Sequence, residues 1–137
     1  LTVDPAVNSG QDLTEKTTLT IATNSASGYV VKARLDDGSG NAKLIDGNGN
    51  EIPSNNAAGD NYFSYTARND GTGSATVAEQ DFTNTATNLL DASSDVIGLG
   101  DVTDSQDHTV NYDLNVNFLT PAGVYAGTIY YTVVVSF

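Results

Sequence analysis

Few residues of this chain are equipped for chemistry. His108 is the only histidine, and it stands beside Asp107 and near Ser105. A nucleophile, its base and the group that orients the base must converge in space. Residues this close along one chain rarely converge, so a solvated turn is expected at His108. The 17 Asp and Glu residues offer many carboxylate pairs of the kind used in glycoside hydrolysis. A sugar-cleaving cleft usually displays an aromatic platform, and the chain has no Trp. It also has no Cys, which removes thiol nucleophiles, disulfides and thiolate metal sites. The expectation is a protein that is not an enzyme.

Two oxygen-rich stretches are candidates for a hard cation. Asp46, Asn48 and Asn50 stand at alternate positions, as in the opening of a calcium loop. The pattern then departs, with Glu51 at the sixth position where Gly is needed and Ala57 at the twelfth in place of a bidentate Glu. A plain β-turn explains the same letters, so no metal is assigned and calcium stays an open cofactor candidate. Asp101, Asp104 and Asp107 form a second acidic group, read as solvated surface. Lys16 or Lys32 together with Asn111, Asn115 or Asn117 supply the ingredients of a Lys–Asn isopeptide bond. Exposed lysines and a hydrophilic strand face explain these residues more simply.

These groups sit in a chain of 137 residues, room for one domain over 1–137. Thr, Asn, Asp, Gly and Ser dominate it, yet 39% of the residues are hydrophobic, so it is turn-rich and still able to bury a core. Five Lys and Arg against the 17 acids give a formal charge of −12. Such a surface repels phosphate, which argues against nucleic acid and anionic membrane as partners. No apolar run reaches the length of a membrane span. Met is absent and the chain opens on Leu1, which reads as processing or as a cut from a longer protein. None of the Asn residues stands in an Asn-x-Ser/Thr acceptor, which favours a bacterial exterior.

The elements that must position these residues read as strands. From 110 to 118, Val110, Tyr112, Leu114, Val116 and Phe118 alternate with polar residues, which describes one buried and one wet face. Turn chemistry at 120–123 follows, and then a strand over 124–137 with Ile129, Tyr131, Val133, Val135 and Phe137 in one apolar row. The two segments are expected to pair as an antiparallel hairpin. Upstream, strands are predicted over 13–22 with Leu19 and Ile21 inward, over 29–35 where Tyr29, Val31, Ala33 and Leu35 alternate with Val30, Lys32 and Arg34, and over 62–68. Residues 42–45 and 51–52 flank a hairpin turn at 46–50, where Gly and Asn accept positive φ. The stretch 82–100 reads as irregular with room for one short helix. Short strands at this spacing define an all-β antiparallel sandwich or barrel.

Three segments taken together carry a resemblance: Ala26-Ser27-Gly28-Tyr29-Val30-Val31, the strand at 62–67, and Pro121-Ala122-Gly123-Val124-Tyr125-Ala126-Gly127-Thr128-Ile129-Tyr130-Tyr131-Thr132. In that order they resemble secreted bacterial β-sandwich surface domains, and the closing strand is similar to that of spore-coat-U-like and archaic chaperone–usher pilins. The cysteine pair usual in those pilins is missing here. The resemblance implies a non-enzymatic surface or filament subunit with an all-β, immunoglobulin-like antiparallel β-sandwich fold.

A sandwich has edges, and an edge offers unpaired backbone groups to another chain. The function expected is therefore an extracellular pilus-like filament subunit that polymerises with identical copies by strand addition. The alternative is an adhesin or stalk module of a larger surface protein, with a host-surface or glycan ligand. Leu1, Val3 and Val7 are the subunit-contact candidates, because residues 1–10 read equally as a donated strand or as the first strand of their own sandwich.

Overall fold

A computed structural model describes residues 2–3, 13–22, 29–55, 57, 61–69, 76–91 and 105–135 of the chain. The elements named among these are all β-strands, and all their pairs are antiparallel. The sequence of the chain explains why. Val, Ile, Tyr, Phe and Thr recur with period two and are broken by Gly, Asn and Asp, which suits pleated, half-buried strands.

One large sheet joins β2 (Leu13–Ala22), β9 (Ser105–Asn115), β6 (Tyr62–Asn69) and β7 (Thr76–Asp81), in that order. The other joins β11 (Thr128–Val135), β3 (Tyr29–Asp36) and β8 (Thr87–Asp91). The ribbon of β4 (Lys43–Ile45) and β5 (Glu51–Pro53) and the short pair β1 (Thr2–Val3) and β10 (Gly123–Val124) complete the described strands. Tyr29, Val31, Ala33 and Leu35 of β3 form one buried cluster with Val110 and Leu114 of the facing sheet, Val116 just past its β9, and Phe63, Tyr65 and Phe82. Leu19 and Ile21 pack partly buried against this core, on the inward side expected of them. Each such apolar side chain contributes about 1.5–3 kcal/mol when fully buried.

Four expectations need correction. First, β9 and β11 do not pair. β11 lies along β3 from Thr128↔Asp36 to Val135↔Tyr29, whereas β9 lies between β2 and β6. Residues 120–127 carry the chain from one sheet to the other instead of folding it back. Buried Tyr125, whose hydroxyl donates to the Pro121 carbonyl at 2.8 Å, and a two-way backbone bridge between Ile45 and Ala126 hold the crossing in place. Second, Phe118 leaves the apolar row at a turn and is 78% exposed, since the strand has already ended at Asn115. Third, Val133 and Val135 are not core residues but 42% and 37% exposed. Fourth, the stretch given room for a helix contains strand β8, which pairs with β3 through Ala33↔Thr87 and Val31↔Leu90. Residues 92–104 lie outside the described residues.

The crossing depends on Gly127. A Cβ built there would stand 2.9 Å from Leu44 Cδ2, 3.0 Å from Leu35 Cδ1 and 3.1 Å from the Lys43 carbonyl oxygen. Backbone on one side and buried Leu35 on the other leave little room to yield. Gly127→Ala is therefore expected to cost about 1–3 kcal/mol through overpacking. Denaturant unfolding measures this directly, and a wild-type midpoint would show that β4 can retreat from the crossing.

Candidate functional site

The two sheets face each other with β2 and β11 as edge strands on the same side. Tyr131 of β11 and Tyr112 of β9 meet hydroxyl to hydroxyl, and Tyr112 donates onward to Thr17 Oγ1 of β2 at 2.7 Å. Burial first, and then the contact with Tyr112, hold the Tyr131 phenol above its ordinary pKa. This hydroxyl chain closes the middle of the seam between the sheets. Beside it opens an apolar cavity of about 250 Å³, lined by Leu44, Phe63, Leu114, Tyr125 and Ile129, with exposed Glu15 on its wall.

Along the same seam β11 hydrogen-bonds only to β3, and among the described residues no strand lies on its other side. Tyr130, Val133, Val134 and Val135 are all large, apolar and between 37% and 46% exposed. Val133 and Val135 belong to the row that continues Ile129 and Tyr131 toward the interior. Both faces of the strand end are thus uncovered, which is what an edge prepared for a further strand looks like. Arg34 caps the Tyr130 ring, 4.0 Å from its centroid, and pairs with Asp36 at 2.9 Å.

Of the subunit-contact candidates, Val3 lies among the described residues. Thr2 pairs with Val124 and Val3 with Gly123, so the start of the chain lies antiparallel to β10, directly ahead of β11. Leu1 and Val7 lie outside the described residues.

Of the remaining candidates, Lys16 and Asn111 alone stand opposite each other among the described residues. Asp107 and His108 point to opposite faces of β9, as successive strand residues must. Asp107 is exposed and accepts from Thr20 Oγ1 at 2.7 Å. His108 is fully buried, its Nε2 hydrogen-bonded to the Tyr29 hydroxyl of the opposite sheet, with the two rings edge to face at 5.6 Å. The solvated turn expected for His108 is therefore wrong. The alternating row began before Val110, but a lone polar residue at its head hid the extension. Asp101 and Asp104 lie outside the described residues. Exposed Lys16 stands directly across from half-buried Asn111, whereas Lys32 faces Thr132 and Asn88, Asn115 faces Tyr62, and Asn117 sits in a turn.

Asp46, Asn48 and Asn50 form the β4–β5 turn. Asp46 Oδ1 accepts from the backbone amides of Asn48 at 2.9 Å and Asn50 at 2.8 Å, and Oδ2 accepts from the Asn50 side-chain amide at 2.8 Å. Both carboxylate oxygens are engaged in shaping the turn, with Gly49 at φ +85° closing it. Chelation is accordingly expected to leave the melting temperature unchanged. A fall on adding EDTA, reversed by calcium, would assign the turn to the cation instead.

Loop 36–41 is built the same way. The Gly40 and Gly38 amides and then Arg34 hold the Asp36 carboxyl below its usual value. At Asp37 burial acts upward, but the Asn41 side chain and amide, the Ser39 amide and the Lys43 ammonium outweigh it and bring the pKa to about 2. The Asn50 side-chain amide, opposed by burial and aided by the Asn50 and Asn48 amides, lowers Asp46. A carboxyl depressed in the folded state adds stability above its unfolded pKa, about 3.9, and loses it as pH falls through the folded value. The melting temperature should thus decline from about pH 4 toward pH 2, and Asp37→Asn should flatten that decline. An unchanged slope in the variant would remove Asp37 as its source.

No protein-family model and no curated protein matches the chain. Among solved structures, a chain of a chaperone–tip adhesin complex of CFA/I fimbriae biogenesis is similar, with 19% identity and a TM-score of 0.49 over 90% of this chain and 34% of that one. This chain thus spans about a third of that neighbour's length, and at such similarity the neighbour's role does not transfer.

Proposed function

We infer that the protein is a structural subunit of a secreted, pilus-like surface filament, assembled by β-strand addition between identical copies and without a catalytic step or cofactor. One observation carries the reading: the β11 edge, eight residues long, uncharged and bare of a described neighbour, with inward-row valines exposed at its end. An added strand would find backbone partners along that edge, and alternate apolar side chains would cover Val133 and Val135 and reach the cavity beside Ile129. Residues 1–7 are the donor in this reading, with Leu1, Val3 and Val7 as its apolar contacts. The β1–β10 pairing supports it, because a pairing made within one chain costs little to make between two. Pro5 lacks an amide hydrogen and limits the donated stretch.

Deleting residues 1–7 is expected to leave a folded protein that no longer forms filaments by electron microscopy. Normal filaments from the deletion variant would remove the donor role. A second reading, an adhesin module, draws on the turn at 117–120. There Phe118 and 88%-exposed Leu119 stand on backbone locked by the Asn117 carboxamide and the buried Thr120 hydroxyl. In that case Phe118→Ser with Leu119→Ser abolishes binding to host surfaces or glycans while leaving assembly intact.

A further inference from the structure

We propose that two copies of the chain pair through β11 as a symmetric antiparallel dimer, centred on Thr132, that occupies the open edge until a donated strand replaces it. The inference shares with the filament reading only the open edge, and it needs no donor segment.

Among the described residues, four strands form the edges of the two large sheets. β2 carries Glu15 and Lys16, β7 carries Glu79 and Asp81, and β8 ends on Asp91. Charges of this kind are how proteins discourage edge-to-edge pairing. β11 reads Thr-Ile-Tyr-Tyr-Thr-Val-Val-Val and carries none. Two molecules of charge −12 repel one another, and their approach is least opposed where the contacting strand is neutral. Its neighbour β3 also places two of the five basic residues, Lys32 and Arg34, on the same outer face as Tyr130.

The sequence of the strand is complementary to itself in one register. Antiparallel residues that lie opposite each other project to the same face, so odd positions must meet odd and even meet even. With Thr132 opposite Thr132 of the second copy, Tyr131 meets Val133, Tyr130 meets Val134 and Ile129 meets Val135, each pair occurring twice. Aromatic with β-branched, β-branched with β-branched and a central Thr–Thr pair are the favourable cross-strand combinations. The register covers Tyr130, Val133, Val134 and Val135, the four exposed apolar residues of β11, at once. The product is a continuous six-stranded sheet, β8-β3-β11 joined to its symmetry copy, and as an isologous contact it closes at two copies.

The absence of native Cys makes the test clean. Under mild oxidation Thr132→Cys should form a disulfide-linked dimer, because the pair at the symmetry axis lies at the Cα separation a disulfide requires. Tyr130→Cys should not, since it faces Val134 of the other copy, and a mixture of Tyr130→Cys with Val134→Cys should cross-link. Thr132→Lys sets two ammonium groups opposite each other at an exposed position, so it should give a folded monomer by sedimentation, its melting temperature lowered modestly by the lost dimer contact and by Lys32 directly opposite on β3. The wild type should sediment as a dimer that tightens with added salt as the repulsion is screened. A wild type that stays monomeric at all concentrations, equal cross-linking of the single-cysteine variants, or a Thr132→Lys dimer would each overturn the proposal. The variant lacking residues 1–7 should still dimerise. Loss of filaments with the dimer retained indicts the donor alone, whereas loss of the dimer in that variant overturns the β11 pairing.

Discussion

Val116→Asp is expected to cost about 3–5 kcal/mol, because it would bury a carboxylate with no ion partner in the core. Val116 is 1% exposed and belongs to the same buried cluster as Leu114, Val110 and the inward face of β3. That cost is a large share of the 5–15 kcal/mol that holds a typical domain together, so the variant should be largely unfolded or recovered insoluble. Val133→Asp is the informative counterpart. Its side chain is already 42% in water, so the new carboxylate can stay hydrated, and the fold should lose about 1 kcal/mol or less. Its effect belongs to assembly, since a charge on the bare edge opposes any added strand. Circular dichroism melts of the two variants, read with electron microscopy, separate these consequences. Equal destabilisation by both substitutions would return Val133 to the core and close the edge.

His108→Ala carries the second large expectation, about 2–4 kcal/mol. The imidazole is fully buried between the sheets, so the smaller side chain leaves a cavity and takes away the partner that Tyr29 bonds across the gap. Asp107→Ala, one residue away, removes only the exposed contact with Thr20 and should stay within about 0.5 kcal/mol of wild type. Urea unfolding of the pair measures how sharply the two faces of β9 differ. Similar midpoints for the two variants would mean that the Tyr29–His108 contact adds nothing to inter-sheet packing.

Alternation of apolar and polar residues was enough to find most strands and to say which way they face. Leu13–Ala22 matched its predicted limits, and the alternation along β3 and the turn between β4 and β5 stand as expected. These are local properties. A period of two follows from the pleat, and a Gly at positive φ follows from the turn itself. Pairing is not local. The period says that Val116 and Val133 each belong to an apolar row, but it does not say which strand lies beside either row. Only the folded chain set β11 against β3, because residues 120–127 cross between sheets on a path that Gly127, Tyr125 and the Ile45–Ala126 bridge define together. The same long-range placement turned His108 inward onto Tyr29 and left Val133 to Val135 at an open edge. The sequence by itself thus determined a neutral, β-branched closing strand in an acidic all-β protein. Tertiary structure decided that this strand is an edge, since exposure depends on which neighbours a strand acquires, and those neighbours lie far away along the chain.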